Sequence, residues 1–251
     1  MRLFDSHCHL EEWMIPEILA SDTKRVVNIG CDETSSIESV EWTKKYDFVY
    51  GTVGIHPECA DTCTPALLDK LALLAANEKI KAIGEIGLDY HWEKNPPREI
   101  QRECFNRQIA LAIDLGLPIC IHSRDADRET FDLLKESGAF LKTKVLMHCY
   151  SGSAELAKEY LKQGAWISIA GPVTYKNNRK TVEVAAMLPE GRFLIETDSP
   201  YLSPVPLRGK PNSPANVVFT AMRIAEIRGE DLEHIAEASY KNACEFYGID
   251  D

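Results

Sequence analysis

Eight short runs of β-branched and apolar residues, each followed by a stretch with helical spacing, recur along the chain and constrain its fold more than any other feature. They fall at residues 3–7, 25–30, 48–54, 80–86, 118–122, 144–148, 165–170 and 192–197. Between them the apolar period changes: Leu67, Leu68, Leu71, Leu74 and Ala75 share one face at a repeat of about 3.6 residues. Strand-then-helix units need crossover connections, which implies a parallel sheet covered by helices. Alternation alone does not separate a closed barrel from an open doubly wound sheet, but eight units within 251 residues fit the barrel more economically. The expected fold is α/β: one (β/α)₈ barrel domain over residues 1–251 with two additional C-terminal helices, at about 214–228 and 231–246.

Local signals agree with this parsing. Thr64-Pro65 and Ser213-Pro214 each place a capping hydroxyl before a proline suited to the first helical position, and Ser35 with Glu38 has capping-box spacing. The stretch 199–214 carries prolines at 200, 204, 206, 211 and 214. Because it follows the last strand, it is expected to be a stiff loop covering one end of the barrel.

His7 and His9 lie two apart on the first strand, where period-two alternation points both, with Asp5, toward one face. A lone His-x-His is as well explained by polar residues at a strand end as by metal ligation. Glu85, His122, His148 and Asp198 are each expected at the end of a strand: the fourth, fifth, sixth and eighth. In a barrel the carboxyl ends of all strands meet at one face, so these residues converge with the first two. Four histidines and two carboxylates suffice for two divalent cations, with a carboxylate placed to bridge them and open positions left for water and substrate. Carboxylates and phosphate substrates suit Mg²⁺ or Mn²⁺, while the histidine content also suits Zn²⁺.

The formal charge of −11 argues against broad adhesion to nucleic acid or anionic membrane, so any phosphate binding must be local. The N-terminal segment lacks the apolar stretch of a signal peptide, and no run approaches the roughly 20 apolar residues of a membrane span. A cytoplasmic protein without an obligate protein partner is expected. The eight cysteines are scattered through a chain large enough to be stable without disulfides, and we read them as reduced thiols. Cys59 and Cys63 have no second pair at zinc-ribbon spacing.

Five motifs carry a resemblance to a known family: Phe-Asp-Ser-His-Cys-His-Leu at 4–10, Gly-Ile-His-Pro at 54–57, Gly-Glu-Ile-Gly-Leu-Asp-Tyr at 84–90, Ile-His-Ser-Arg-Asp-Ala at 121–126 and Glu-Thr-Asp-Ser-Pro-Tyr-Leu at 196–202. In this order the chain resembles the TatD-related metal-dependent deoxyribonucleases. The resemblance implies an amidohydrolase-type TIM barrel with DNase activity, in which His7, His9 and Glu85 serve one cation and Glu85, His122 and His148 the second. Asp198 would bind a metal or its water. A glutamate on the fourth strand, where many amidohydrolases carry a carboxylated lysine, favours this family over dihydroorotase-like amidases.

The expected activity is metal-dependent hydrolysis of DNA ends by an exonuclease, with single-stranded or frayed DNA as partner; the alternative is hydrolysis of small esters, lactones or amides by the same metals. Glu85 and Asp198 are the candidate catalytic residues, Asp198 as general base or as a plain ligand. Arg124, Lys176, Arg179, Arg208 and Lys210 are expected in loops as a cationic rim, with Arg124 and Arg208 the best candidates for phosphate contacts. Tyr90, His91, Trp92 and Tyr201 are candidates for stacking on bases. His56 reads as a substrate contact or a hydrogen-bonding support behind the ligands. Asp5 and Glu196 read as supports, and Asp89 as a substrate contact or a brace for the loop after Glu85.

Overall fold

The computed structural model describes all residues, Met1–Asp251. Eight strands follow one another in a single sheet in sequence order: β1 Leu3–Cys8, β2 Thr23–Asn28, β3 Val49–Val53, β4 Ile80–Asp89, β5 Ile119–Arg124, β6 Val145–Met147, β7 Trp166–Ile169 and β8 Phe193–Ile195. The helices are α1 Ile15–Ala20, α2 Glu33–Lys45, α3 Pro65–Ala75, α4 Arg98–Leu115, α5 Asp127–Glu136, α6 Ala139–Lys142, α7 Ala154–Lys162, α8 Arg179–Met187, α9 Val217–Arg228 and α10 Leu232–Tyr247. β1 pairs in parallel with β2, β3 with β4, β4 with β5, β5 with β6, and β7 with β8. Beyond β8 the chain returns to β1: the amide of Asp198 donates to the His7 carbonyl at 3.0 Å, and that of His9 to the Ser199 carbonyl at 2.7 Å. This is the succession of a (β/α)₈ barrel. No helix is long and apolar enough to cross a membrane.

The chain divides into two compact units. One, formed by Met1–Asn28, His148–Leu161 and Trp166–Asp251, carries β7, β8, β1 and β2. In it α10 covers β1: Phe4 stacks on Tyr247 at 6.2 Å and tilts against Tyr240 at 5.8 Å, while the Tyr247 hydroxyl donates to the Ser6 carbonyl at 2.8 Å. Burying Phe4 and Phe246 fully contributes about 1.5–3 kcal/mol each. The other unit, Ile29–Met147 with Lys162–Ala165, carries β3 to β6. Here α4 turns Cys104, Phe105, Gln108, Ile109 and Ala112 inward, and Gln108 grips Ile55 twice, accepting from its amide at 2.7 Å and donating to its carbonyl at 2.9 Å.

Several local expectations are corrected. The box opening α2 is Asp32 with Ser35, not Ser35 with Glu38; Asp32 accepts from the Ser35 amide at 2.7 Å and Ser35 Oγ accepts from the Asp32 amide at 3.0 Å. Thr64 caps α3 as expected, and Ser213 opens a 3₁₀ turn that leads into α9. Glu85 does not end its strand, since β4 continues to Asp89. Likewise His122 lies within β5 and Arg124 ends it, whereas His9, His148 and Asp198 lie just beyond β1, β6 and β8. Arg179 is the first residue of α8 instead of a loop residue.

The extension of β4 has a physical cause in Gly87. Its φ is +148°, it pairs with His122, and a Cβ there would lie 1.9 Å from the His122 carbonyl oxygen. Only glycine lets the two backbones approach this closely.

The loop 199–213 is tied to itself. Asn212 donates through Nδ2 to the carbonyls of Thr197 at 3.0 Å and Tyr201 at 2.8 Å, and its amide donates to Pro200 at 2.9 Å. Ser203 Oγ donates to the Lys210 carbonyl at 2.5 Å.

Gly87→Ala is expected to cost about 3 kcal/mol or more, because overpacking against backbone adds to a disfavoured φ. The comparison is Gly116→Ala at the end of α4, where φ is also positive but no atom lies within 4 Å of the new Cβ; it should cost only about 1–2 kcal/mol. Urea denaturation of both variants checks this, and equal losses would refute the close-approach account.

Candidate metal centre

In the unit built on β1, His7 is fully buried and lies face to face with His148, ring centroids 3.8 Å apart and planes within 10°. His148 Nδ1 faces Glu196 Oε1 at 3.1 Å, and the second oxygen of Glu196 accepts from Ser168 Oγ. That pairing fixes the His148 ring and leaves Nε2 as its outward donor atom. Ligand atoms of His7, His148 and Glu196 all lie within 4.8 Å of one another. Asp198 Oδ1 stands 3.6 Å from Nε2 of both His7 and His9. Burial alone would raise the Asp198 carboxyl, but the hydrogen bond to His9 and the charges of His7 and His148 hold it below the usual carboxylate range.

Asp5 braces this cluster from behind. It is fully buried; Oδ1 accepts from the amides of Thr197 at 2.9 Å and His7 at 3.3 Å, and Oδ2 from Thr197 Oγ1. Burial pushes its carboxyl well above the ordinary value, opposed by those bonds from Thr197 and His7.

In the unit built on β3 to β6, Glu85 is 4% exposed and meets His122, His56 and Cys31. His122 Nδ1 faces its Oε1 at 2.8 Å, His56 Nε2 lies 3.8 Å from the same oxygen, and the Cys31 thiol donates to Oε2 at 3.7 Å. The other nitrogen of His122 faces Asp89 Oδ2 at 3.1 Å, so this imidazole sits between two carboxylates. Although burial works against it, the His122 and His91 hydrogen bonds hold the Asp89 carboxyl below its ordinary value. His56 Nδ1 accepts from the Glu58 amide at 3.2 Å, which turns Nε2 toward Glu85. Ligand atoms of His56, Glu85 and His122 again lie within 4.8 Å of one another. Imidazole nitrogens and carboxylate oxygens at this spacing form a donor set suited to divalent cations.

The structure thus gathers the six expected ligands into two clusters, one with His7, His9, His148 and Asp198, the other with Glu85 and His122. It adds Glu196 to the first and His56 to the second. Their signal in the sequence was position: both follow a strand within a motif, but neither has a spacing that distinguishes a ligand from a support. Cys31 was missed altogether, since a cysteine just after β2 has no motif to mark it.

Among the candidate substrate contacts, Trp92 is 46% exposed. The Arg124 guanidinium lies 5.3 Å from its ring centre and the Lys94 ammonium 6.0 Å. His91 meets the edge of Trp92 and its Nδ1 faces Asp125 at 2.8 Å. The ring of Tyr90 is covered by Arg98 at 4.3 Å, and burial pushes its hydroxyl above the ordinary value. Tyr201 is 62% exposed, its ring 6.0 Å from that of His9, while Arg208 lies 4.3 Å over Tyr175. Lys176 and Lys210 are exposed loop residues.

The sequence profile of the TatD related DNase family matches residues 4–248. An uncharacterized metal-dependent hydrolase, YabD of Bacillus subtilis, is 43% identical over 98% of this chain and 99% of its own. An uncharacterized metal-dependent hydrolase, TatD of Mycobacterium tuberculosis, is 32% identical over 98% of both chains. The crystal structure of YJJV, a TatD homolog from Escherichia coli, superposes with a TM-score of 0.92 at 26% identity, covering 99% of each chain. The buried histidine–carboxylate clusters and a match over nearly the whole chain lead to one assignment: this protein belongs to the TatD related DNase family of metal-dependent hydrolases.

Proposed function

We propose that the protein is a deoxyribonuclease that removes nucleotides from DNA ends using two divalent cations, Mg²⁺ or Mn²⁺ for activity with Zn²⁺ as a further occupant. The observation that carries this reading is the position of Glu85, a nearly inaccessible carboxylate set between His56 and His122 in a chain of the TatD family. On this proposal His7, His9 and Glu85 hold one cation and Glu85, His122 and His148 the other, with Asp198 beside them. Divalent cations held there would lower the pKa of nearby water and neutralise charge on a phosphodiester.

The chain's own residues supply the remainder. Asp198, kept ionised by His9, His7 and His148, accepts the proton of the attacking water. Glu196 and Asp5 fix the orientation of His148 and of the β1 end, and Asp89 holds the Nε2 side of His122. His56 positions Glu85. Trp92 and Tyr201, both exposed, offer flat faces to unstacked bases, and Arg124 and Arg208 offer charge to phosphates. With a net charge of −11, the surface fits a short single-stranded or frayed terminus better than a long duplex. We place the enzyme in the cytoplasm.

Glu85→Gln should lower kcat/KM at saturating metal by at least about a hundredfold while leaving the fold intact. Metal alone should raise the melting temperature of the wild type and raise that of the variant less, since a cation that binds only the native state stabilises it by mass action. Near-wild-type turnover together with an unchanged metal-induced shift would remove Glu85 from the centre.

The substrate is tested with linear single-stranded, linear duplex and covalently closed circular DNA beside a panel of lactones and phosphodiesters, each with and without metal. Metal-dependent loss of terminal nucleotides from the linear strand, with the closed circle resistant, is expected. Nicking of the circle at the linear rate would overturn the end-dependent reading, and turnover confined to the small substrates would replace the nuclease by a small-molecule hydrolase. The logarithm of DNA affinity should fall with log salt at a slope of about two to four contacts times 0.7.

A further inference from the structure

The two oxygens of Glu85 face different chemistry. Oε1 is turned to imidazole nitrogen, with His122 Nδ1 at 2.8 Å and His56 Nε2 at 3.8 Å, while Oε2 is turned to sulfur, accepting from the Cys31 thiol at 3.7 Å. Main-chain bonds hold these groups in one frame. The Gly30 carbonyl accepts from the Glu85 amide at 2.8 Å, and the next carbonyl, that of Cys31, accepts from the His56 amide at 2.8 Å. The Cys31 amide in turn donates to Ser35 Oγ at 2.8 Å, which fixes the residue to the start of α2. Two consecutive residues beyond β2 thereby set the backbones of both Glu85 and His56, and the sulfur projects from one of them. Cys31 is half-buried, so solvent reaches it.

We propose that Cys31 is a metal ligand of the Glu85 cluster, the donor that gives this cluster its preference for a thiophilic divalent cation of the zinc class. The inference rests on the metal-centre reading of Glu85 given above and is independent of the substrate. The sulfur does not stand alone, because His56, Glu85 and His122 already bring three ligand atoms within 4.8 Å of one another.

The spacing fits shared ligation. Two donors on one tetrahedral zinc ion, with sulfur at about 2.3 Å and carboxylate oxygen at about 2.0–2.2 Å, stand roughly 3.5–3.7 Å apart. The separation of Cys31 Sγ and Glu85 Oε2 is 3.7 Å. On ligation the S–H bond breaks, its proton passes to solvent, and a sulfur–metal bond forms with no change of oxidation state. Sulfur is a soft donor that favours Zn²⁺ and its substitutes Co²⁺ and Cd²⁺, whereas Mg²⁺ takes oxygen ligands. Cys31 thereby biases which cation the cluster holds.

The full-length protein, stripped with chelator and kept reduced, is titrated with Co²⁺. Binding should give visible ligand-field bands and, in addition, a near-ultraviolet sulfur-to-cobalt charge-transfer band. Cys31→Ser should keep the ligand-field bands and lose the charge-transfer band, with Zn²⁺ affinity down at least about tenfold and Mg²⁺ affinity changed by less than about twofold. Cys59→Ser, in the 3₁₀ segment Pro57–Thr62 that follows His56, should keep both bands. A further measurement needs no variant to fold: in the wild type Zn²⁺ should slow alkylation of Cys31 at least about tenfold, read by peptide mass spectrometry, whereas Mg²⁺ should leave it within about twofold. Ligand-field bands without charge transfer, a charge-transfer band that survives in Cys31→Ser, or equal alkylation of Cys31 under Zn²⁺ and Mg²⁺ would each overturn the proposal and leave the metal centre in place. No cobalt binding at all would overturn the metal-centre reading, and the proposal with it.

Discussion

A carboxylate with no access to water, that of Asp5, decides where the imidazoles and carboxylates of the first cluster stand. Such a group is tolerated only when its oxygens are engaged, and here Thr197 supplies an amide and a hydroxyl while His7 supplies an amide. Those bonds tie β1 to the chain just beyond β8. His7 and Asp198 are the neighbours of the atoms so tied, and their separation follows from the brace. The amide of Asp198 adds a bond to the His7 carbonyl, so the two backbones that carry the cluster are stitched at two levels.

The second cluster reaches a comparable rigidity by another route. Glu85 lies inside β4, where the amide is already used by Gly30 and the backbone is not free to adjust. Its partner His122 is on the neighbouring strand, and Gly87 removes the side chain that would hold the strands apart. Packing and sheet pairing fix the distance, and the carboxylates of Glu85 and Asp89 fix the ring. One cluster is positioned by a buried carboxyl group and its donors, the other by a missing Cβ.

The fold was legible because composition and spacing are properties of the sequence itself: short runs of β-branched and apolar residues named the eight strands, and Thr64-Pro65 marked a helix start correctly. The candidate donor groups were legible for the same reason, since these histidines and carboxylates stand in short motifs. Strand ends were not. β4 outran its expected bound by three residues because pairing with β5 persists past Gly87, and no local preference encodes that pairing. The place of Glu196 and His56 depended on which atom of a neighbouring ring each one faces, a tertiary fact without a sequence period. The α2 cap was misread by one turn because Asp32 and Ser35 both satisfy the rule, and only the backbone shows which of them stands outside the helix.

The self-tied loop 199–213 bears on how Tyr201 meets a ligand. Asn212 fastens both the carbonyl of Tyr201 and that of Thr197, while five prolines over 199–214 narrow the remaining backbone freedom. An exposed ring on a floppy loop surrenders conformational entropy on capture. Here much of that entropy is already gone, so a base stacked on Tyr201, as proposed above, would be held by the contacts made and not by the closing of the loop around them.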